Sequence, residues 1–484
     1  MRSSSSDVLI VGAGPAGLAL AIGLRLHGVS VRVVEREAAA KRQPRAAVVW
    51  PGESDILDAL EVLPAFQAQA VSLQSAEVRA YGRRLGVLRL EAGEGPQRTP
   101  LVIEQHATER LLSGRLETLG GAVDWSTELQ EFEEDGERVR VRLAGPLGEE
   151  RHEAAWIVGA DGAGSRVREI AGIAFPGKPR RNLECVQINA WPQWRHGLPR
   201  STGWYFLKPD ASLGVFPLPE GGCRFFCFKT DDAPERTDPP TVAEMRDLVA
   251  RTADAPETEL HPTEPHWLNR ARFTDRVADT LAKGRVLLVG DAAHAWAAVG
   301  GHGMNVALQD AFGLAWRIAA VHRDLASPDL LKSYSDEQRE RAFEMIRAIR
   351  FDVIERPPHP LLLPPLALGL TAALALPALQ TRLMRTIGDV ELRHGPSPLN
   401  TGPDAGRRVA AASWARPGWR LEAGAALADG FSAAADRFVL TSRLSGSEGD
   451  RVRFVRPDGY VAWSGGARDL SDFECWLGRW FAPR

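Results

Sequence analysis

The stretch Asp7-Val8-Leu9-Ile10-Val11-Gly12-Ala13-Gly14-Pro15-Ala16-Gly17, followed by the Ala-, Leu- and Ile-rich run Leu18–Leu26, decides how this chain folds. It reads as a buried strand, a glycine turn and a helix. Gly12 permits the tight turn, Gly14 lets the backbone approach a pyrophosphate, and Gly17 lets helix and strand pack closely. The helix N-terminus then faces the phosphates with its partial positive charge. A second strand, Val31–Val34, ends at Glu35, about 18 residues past Gly17, where a carboxylate can hold both hydroxyls of an adenosine ribose. That favours FAD or NAD over NADP at this site.

Two later segments narrow the choice. Ala155–Val158 is a strand ending in Gly159-Ala160-Asp161-Gly162-Ala163-Gly164-Ser165-Arg166. Arg285–Val289 is another, running into Gly290-Asp291-Ala292-Ala293-His294. Gly300-Gly301-His302-Gly303-Met304-Asn305 follows, ahead of an expected helix over Val306–Val321 with Leu308, Phe312, Ala315 and Ala319 at helical spacing. Each Gly–Asp pair sits at a strand's carboxyl end, where open α/β sheets bind ligands. The glycine run offers unobstructed backbone N–H groups to an anionic ligand.

In this order and at these separations, the three segments resemble the single-Rossmann flavoprotein aromatic monooxygenases, the family of p-hydroxybenzoate hydroxylase and the aromatic polyketide hydroxylases. The likeness covers nearly the whole chain. It implies that Glu35 binds the adenosine ribose, that Arg45 and Gln105 contact the central part of FAD, and that Asp161 and Gly162 serve both flavin and nicotinamide. Asp291, beside Gly290, would hold the ribityl hydroxyls. Pro15, Ala16, Arg36, Gly301, Gly303, Met304 and Asn305 complete the expected cofactor contacts. His302 is a candidate for proton transfer, with a loop-surface histidine as the alternative. The family usually carries one or two prolines between His294 and Gly300, whereas this chain has Trp296-Ala297-Ala298-Val299, so a looser loop is expected there.

Between Lys178 and Asp275 short runs such as Gly203–Leu207 and Arg224–Phe228 are separated by Pro, Gly and Asp, and they read as strands of a substrate-covering sheet. Trp191, Trp194, Trp204, Phe206, Phe216, Phe226 and Trp267 supply aromatic surface, with Trp204, Phe206, Phe216, Phe226 and Trp296 the candidates for substrate contact. After Arg356-Pro357-Pro358-His359-Pro360 comes the apolar run Leu361–Leu379, interrupted by Pro364, Pro365 and Pro377 and expected to be a helix buried against the body of the protein. Arg456-Pro457-Asp458-Gly459-Tyr460-Val461-Ala462-Trp463 resembles the end of the thioredoxin-like domain of many polyketide hydroxylases.

The expected fold is therefore α/β plus α+β. A Rossmann-type FAD-binding domain occupies 1–177, with some substrate-domain strands near 75–100; a substrate sheet occupies 178–275. The FAD domain resumes with connecting helices over 276–394, and a thioredoxin-like domain fills 395–484. The 484 residues carry 59 Lys+Arg against 62 Asp+Glu, a net charge of −3. With no long basic run of the kind nucleic acid or anionic lipid would need, small molecules are the expected partners and nucleic acid is not. No apolar segment of signal-peptide type precedes Asp7, so a cytoplasmic protein, monomeric or homodimeric and without stable membrane insertion, is expected. Cys185, Cys223, Cys227 and Cys475 form no CxxC pair and read as buried reduced thiols. No metal site is evident.

Only one dinucleotide fingerprint is present, which disfavours enzymes with a separate Rossmann domain for NADPH. The resemblance implies that NAD(P)H reduces FAD transiently, O2 adds at flavin C4a, and the hydroperoxide hydroxylates an aromatic, polycyclic natural-product substrate of the polyketide or antibiotic type. Baeyer–Villiger or epoxidising oxygenation, an FAD-dependent oxidase or dehydrogenase, and a flavin-binding scaffold remain as alternatives.

Overall fold

The computed structural model describes residues 3–41, 45–92, 95–198, 200–229, 238–264, 266–297, 299–349, 363–409, 418–423, 425–438, 442–446 and 451–483. The first strand, Ser3–Val11, lies at the centre of an eight-stranded sheet. It pairs in parallel with Val31–Val34 on one side and Gly148–Gly159 on the other, and the latter pairs in parallel with Val286–Leu288. All these strands point their carboxyl ends toward one edge, bringing Gly12, Glu35, Ala160 and Gly290 together there. Gly12 takes φ 108° at the turn, and a Cβ on it would sit 2.4 Å from the Ala160 carbonyl oxygen. Only glycine fits.

The helix Pro15–Leu26 covers one face of this sheet and packs against the long helix His302–His322. The two approach so closely at Gly23 that a Cβ there would lie 2.8 Å from that of Ala315. The long helix is buried along nearly its whole length, hence its apolar character on every side. It begins at His302, four residues earlier than the helical spacing alone suggests, because Gly300 and Gly301 adopt φ 73° and 71° and turn the chain directly into the first turn.

A second, nine-stranded sheet is built mainly from Gly177–Gln193, Thr202–Leu207, Ala211–Pro217, Cys223–Lys229 and Leu268–Val277. The hairpin Ser75–Ala80 and Arg83–Arg89 joins it, with Ser75–Ala80 parallel to Thr202–Leu207. His294–Ala295 pairs with Arg276–Val277, so the chain leaving the first sheet is stitched directly to the second.

The C-terminal section has its own four-stranded sheet, Ser442–Gly446, Trp419–Ala423, Arg451–Val455 and Val461–Gly466, flanked by helices Ala425–Asp436 and Leu470–Trp480. Its apolar core is continuous with that of the first sheet through Trp316, whose ring meets Trp419 edge-on at 5.4 Å. Buried charges reinforce the joint. Glu337 accepts from Arg317 at 2.6 Å and from Arg456 at 2.7 Å, and Asp458 accepts from Arg456 at 2.9 Å and from Trp316 at 3.0 Å.

Two sequence expectations are corrected here. The run Leu361–Leu379 is not one buried helix: its described part forms Leu363–Ala375 and the start of Pro377–Ile387. Leu374 and Met384 are buried, but Leu368 is 73% exposed and Leu376 52%. A helix apolar all round, laid against a single sheet edge, can bury only one side. No helix among the described residues is long and apolar enough to cross a membrane. Cys185, Cys223 and Cys227 are buried, whereas Cys475 is exposed on the outer face of the last long helix. The segment Arg356–Pro360 lies outside the described residues.

Candidate active site

Between the carboxyl edge of the first sheet and one face of the second runs a single cavity of about 770 Å³. That is the volume range of small-molecule and cofactor sites. Gly12, Gly14, Pro15, Ala16, Glu35, Arg36, Arg45, Gln105, Asp161, Gly162, Gly290, Asp291, Gly301, Gly303 and Met304 all line it. Residues nearly 300 positions apart in sequence thus share one wall.

Three observations show that this wall is built for a dinucleotide. First, Gly14, Gly162 and Gly303 line the cavity, and a Cβ on any of them would meet no atom within 4 Å. The missing side chains leave a cradle. Second, the helices Pro15–Leu26 and His302–His322 start at Gly14 and Gly301, neither of which supplies a side-chain cap. Their first N–H groups are left for an anion. Third, the Asp161 carboxylate is half committed. Its Oδ2 accepts the backbone N–H of Arg166 at 2.7 Å and of Val167 at 3.2 Å, while buried Oδ1 has no partner. Burial raises its pKa, partly offset by hydrogen bonding from the Ser165 hydroxyl and from backbone N–H groups, those of Val167 and Arg166 among them. FAD fits this donor and acceptor set, with Glu35, Asp161 and Asp291 as acceptors and the two helix starts as donors.

The remaining polar groups are fixed from behind. Glu35 accepts the N–H of Ala13 at 3.0 Å and of Glu37 at 3.1 Å, which holds its carboxylate at the cavity wall. Gln105 braces the opposite side, accepting the Ala46 N–H at 3.3 Å and donating to Glu109 at 2.8 Å. Asp291 opens onto the cavity although protein surrounds it; burial raises its pKa against the pull of His294 and Arg45. His294 meets Asp310 at 2.7 Å, and Asp310 also accepts the Gly290 N–H at 2.9 Å. Burial opposes the charged imidazole, but Asp310 and Asp291 more than offset it, so the His294 pKa is raised.

Two of the expected cofactor residues, Gly17 and Asn305, and the proton-transfer candidate His302 do not line the cavity. Gly17 packs helix against strand, the task its place in the fingerprint gives it, with a Cβ there falling 2.1 Å from the Gly12 carbonyl oxygen. Asn305 is a brace, donating to Val48 at 3.0 Å and to Gly301 at 2.7 Å and accepting the Trp50 N–H at 3.0 Å. His302, the proton-transfer candidate, points away from the cavity. It is neither at the surface nor at the site: its Nδ1 meets Asp389 at 2.8 Å and its ring stacks on Trp50, whose indole N–H donates to the Gly300 carbonyl at 2.8 Å. It supports the glycine loop from outside.

The second sheet forms the other wall. Phe216, Phe226 and Trp296 line the cavity, joined by Tyr205, Phe228 and Trp267. Trp204 and Phe206 do not; they pack on the far face with Trp194, at 5.5 and 6.0 Å between ring centres. Strand alternation explains the error, since Tyr205 must face opposite to its two neighbours. Trp191 is 43% exposed and packs over Gly221. Trp296 stacks on His294 at 4.9 Å and 20°, and Ala297 is fully buried, so these two residues of the segment lacking proline are held by packing; Ala298 lies outside the described residues. Arg224 is the guanidinium the sequence reading missed. It donates to Asn189 and, at 2.9 Å, to the Arg45 carbonyl, lies 4.2 Å over the Trp267 ring, and is lowered by burial to about 10.

Residues 5–349 match the model of the FAD binding domain family. The chain is 31% identical to the 12-dehydrotetracycline 5-monooxygenase/anhydrotetracycline 6-monooxygenase of Streptomyces rimosus subsp. rimosus, over 99% of each chain. Among solved structures it superposes on the anhydrotetracycline hydroxylase of Streptomyces rimosus with a TM-score of 0.76 at 29% identity, covering 99% of this chain and 100% of that one. Aklavinone-11 hydroxylase, solved as a ternary complex with FAD and aklavinone, superposes with a TM-score of 0.76 at 25% identity, covering 99% of each.

Proposed function

This chain belongs to the FAD binding domain family and is an FAD-dependent monooxygenase, and we propose that it uses NAD(P)H and O2 to hydroxylate an aromatic, polycyclic polyketide-type substrate. The observation that carries the substrate class is the aromatic wall of Tyr205, Phe216, Phe226, Phe228, Trp267 and Trp296, continuous with the glycine cradle in one cavity. Such a wall suits a planar ring system, and the names of the tetracycline and aklavinone relatives agree with it.

Bound FAD would supply the two-electron reduction and the activation of oxygen. In this reading Gly12, Gly14, Pro15, Ala16, Glu35 and Arg36 hold the adenosine and pyrophosphate. Arg45, Gln105, Asp161, Gly162, Gly290 and Asp291 hold the central part, and Gly301, Gly303 and Met304 lie at the flavin end. The start of His302–His322 would offer a partial positive charge to the flavin end of a bound FAD, which would favour its anionic reduced form. The aromatic wall orients the substrate and excludes water from the reacting centre. No side chain need act as a nucleophile.

We carry the domain boundaries 1–177, 178–275, 276–394 and 395–484 into the same proposal. The β-α-β then β-β-α order of the last section supports a thioredoxin-like domain, with a structural or oligomeric role because it has no CxxC pair. We take the protein to be cytoplasmic and a monomer or homodimer. The test is turnover of a panel of phenolic polycycles with NADPH or NADH under 18O2. A product heavier by one labelled oxygen atom supports the reading, and an unlabelled or dehydrogenated product refutes it.

A further inference from the structure

The strand registers place five residues in one row across the second sheet. Asn269 lies opposite Gln187, Gln187 opposite Phe226, Phe226 opposite Gly214, and Gly214 opposite Tyr205. Asn269, Gln187, Phe226 and Tyr205 all line the cavity. Gly214 does not obstruct the row. A Cβ there would fall 2.0 Å from the Phe226 ring, so the glycine is what allows that ring to lie across the neighbouring strand. With strands spaced about 4.8 Å apart, the row spans roughly 19 Å, wide enough for several fused rings.

This floor is divided by chemistry. Toward Tyr205 it is aromatic, and Phe216 extends it from the next row, 5.1 Å from Phe226 and 5.6 Å from Tyr205 between ring centres. Toward Asn269 it is amide. Gln187 hydrogen-bonds to the Cys185 thiol, and Asn269 makes no side-chain hydrogen bond to the protein among the described residues. Residues directly opposite on antiparallel strands have Cβ atoms about 5 Å apart, so the two amides can engage neighbouring atoms of one ligand. Asn269 offers two donors and an acceptor, Gln187 offers those not engaged by the Cys185 thiol, and neither carries charge. A carboxylate would find no counter-charge in this pair, whereas a carbonyl beside a hydroxyl would find a donor for the one and an acceptor for the other.

We propose that Gln187 and Asn269 form a specificity subsite that recognises a neutral hydroxy-ketone edge of a fused-ring substrate, while the ring body lies over Phe226, Phe216 and Tyr205. This deepens the functional reading above and rests on it for the substrate class, but the subsite is defined by binding rather than turnover.

The test is titration of the FAD-loaded protein with 1,8-dihydroxyanthraquinone, which has such an edge, and with anthraquinone, which lacks the hydroxyls, followed by the flavin absorbance change. The wild-type protein binds the dihydroxy compound more tightly. Gln187→Met and Asn269→Leu each weaken that binding by about three- to tenfold, the weight of one hydrogen bond; the variant that loses the hydroxyl contact leaves the binding of anthraquinone, which keeps the carbonyl, unchanged. Retained FAD and an unchanged melting temperature certify folding, and the two variants read the same subsite from different strands. Equal weakening of both compounds by both variants, no change with either compound, or no preference in the wild-type protein overturns the proposal. These outcomes are read without NAD(P)H, so failure of turnover refutes the hydroxylase reading alone.

Discussion

Gly14 and Gly17 stand three residues apart in the same turn, yet they perform different tasks, and a matched pair of valine substitutions separates them. Gly14 has φ −72° and ψ 178°, a conformation any residue adopts, and a Cβ on it meets no atom within 4 Å. Gly14→Val therefore leaves the fold intact and fills the cradle. Keeping a pyrophosphate away from the uncapped N–H groups loses one or more charge-assisted hydrogen bonds, about 1.5–3 kcal/mol, or roughly 10- to 150-fold in Kd for FAD. At Gly17 the added Cβ lies 2.1 Å from the Gly12 carbonyl oxygen, a backbone atom that cannot step aside. Gly17→Val forces helix and strand apart, at a cost of about 1–3 kcal/mol or more in stability. The assay is FAD titration of the apoprotein by fluorescence quenching, paired with urea unfolding of the same preparations. FAD affinity unchanged in Gly14→Val, or an apoprotein as destabilised as Gly17→Val, would refute the assignment of the cradle.

Glu337 lies buried between Arg317 and Arg456 and ties the C-terminal section to the long helix. Burial opposes its ionisation, but Arg456, His394 and Arg317 win and lower its pKa. Glu337→Gln leaves two buried guanidinium groups short of a counter-charge and costs about 3–5 kcal/mol, read as a lower urea midpoint; a midpoint equal to the wild type contradicts the clamp. Buried His394, beside the same arginines, is lowered to about 4 by burial first and by Arg456 and Arg317 next, with Glu337 and Asp458 pulling upward. Since the unfolded chain binds that proton more readily, its contribution is full above about pH 6.5 and is lost as pH falls toward 4, up to about 3 kcal/mol. His394→Asn flattens this part of the melting-temperature profile, and an unaltered slope between pH 6.5 and 4 counts against it. Phe226→Ala weakens polycycle binding with FAD retained, whereas Trp204→Ala lowers the melting temperature and leaves binding alone; interchange of the two phenotypes would reverse the assignment of sheet faces.

The cofactor half of the site was legible because its determinants are local. Gly12, Asp161 and Gly290 each follow a strand, and parallel strands deliver their carboxyl ends to one edge, so short motifs report a shared wall. The substrate half depends on which face of a strand looks inward. In Gly203–Leu207 three aromatic residues are consecutive, and composition does not choose between Tyr205 and its neighbours; pairing with Gly214 and Phe226 does. Arg224 escaped notice because its partners Asn189, Arg45 and Trp267 are distant in sequence. His302 misled for the same reason, since Asp389 and Trp50, which draw it outward, belong to other segments. The apolar run beyond residue 361 shows the limit of hydropathy, which measures what could be buried but not whether the fold supplies a surface on both sides.

The most direct test of the central claim is anaerobic stopped-flow reduction of the FAD-loaded protein by NADPH and by NADH, with and without a phenolic polycycle, before oxygen is admitted. The account predicts that a nicotinamide reduces the flavin, that a bound polycycle accelerates this step, and that oxygen then returns the oxidised flavin with one oxygen atom added to the polycycle. Flavin that neither nicotinamide reduces, but that the polycycle alone bleaches, would contradict the account and make the protein an oxidase or dehydrogenase.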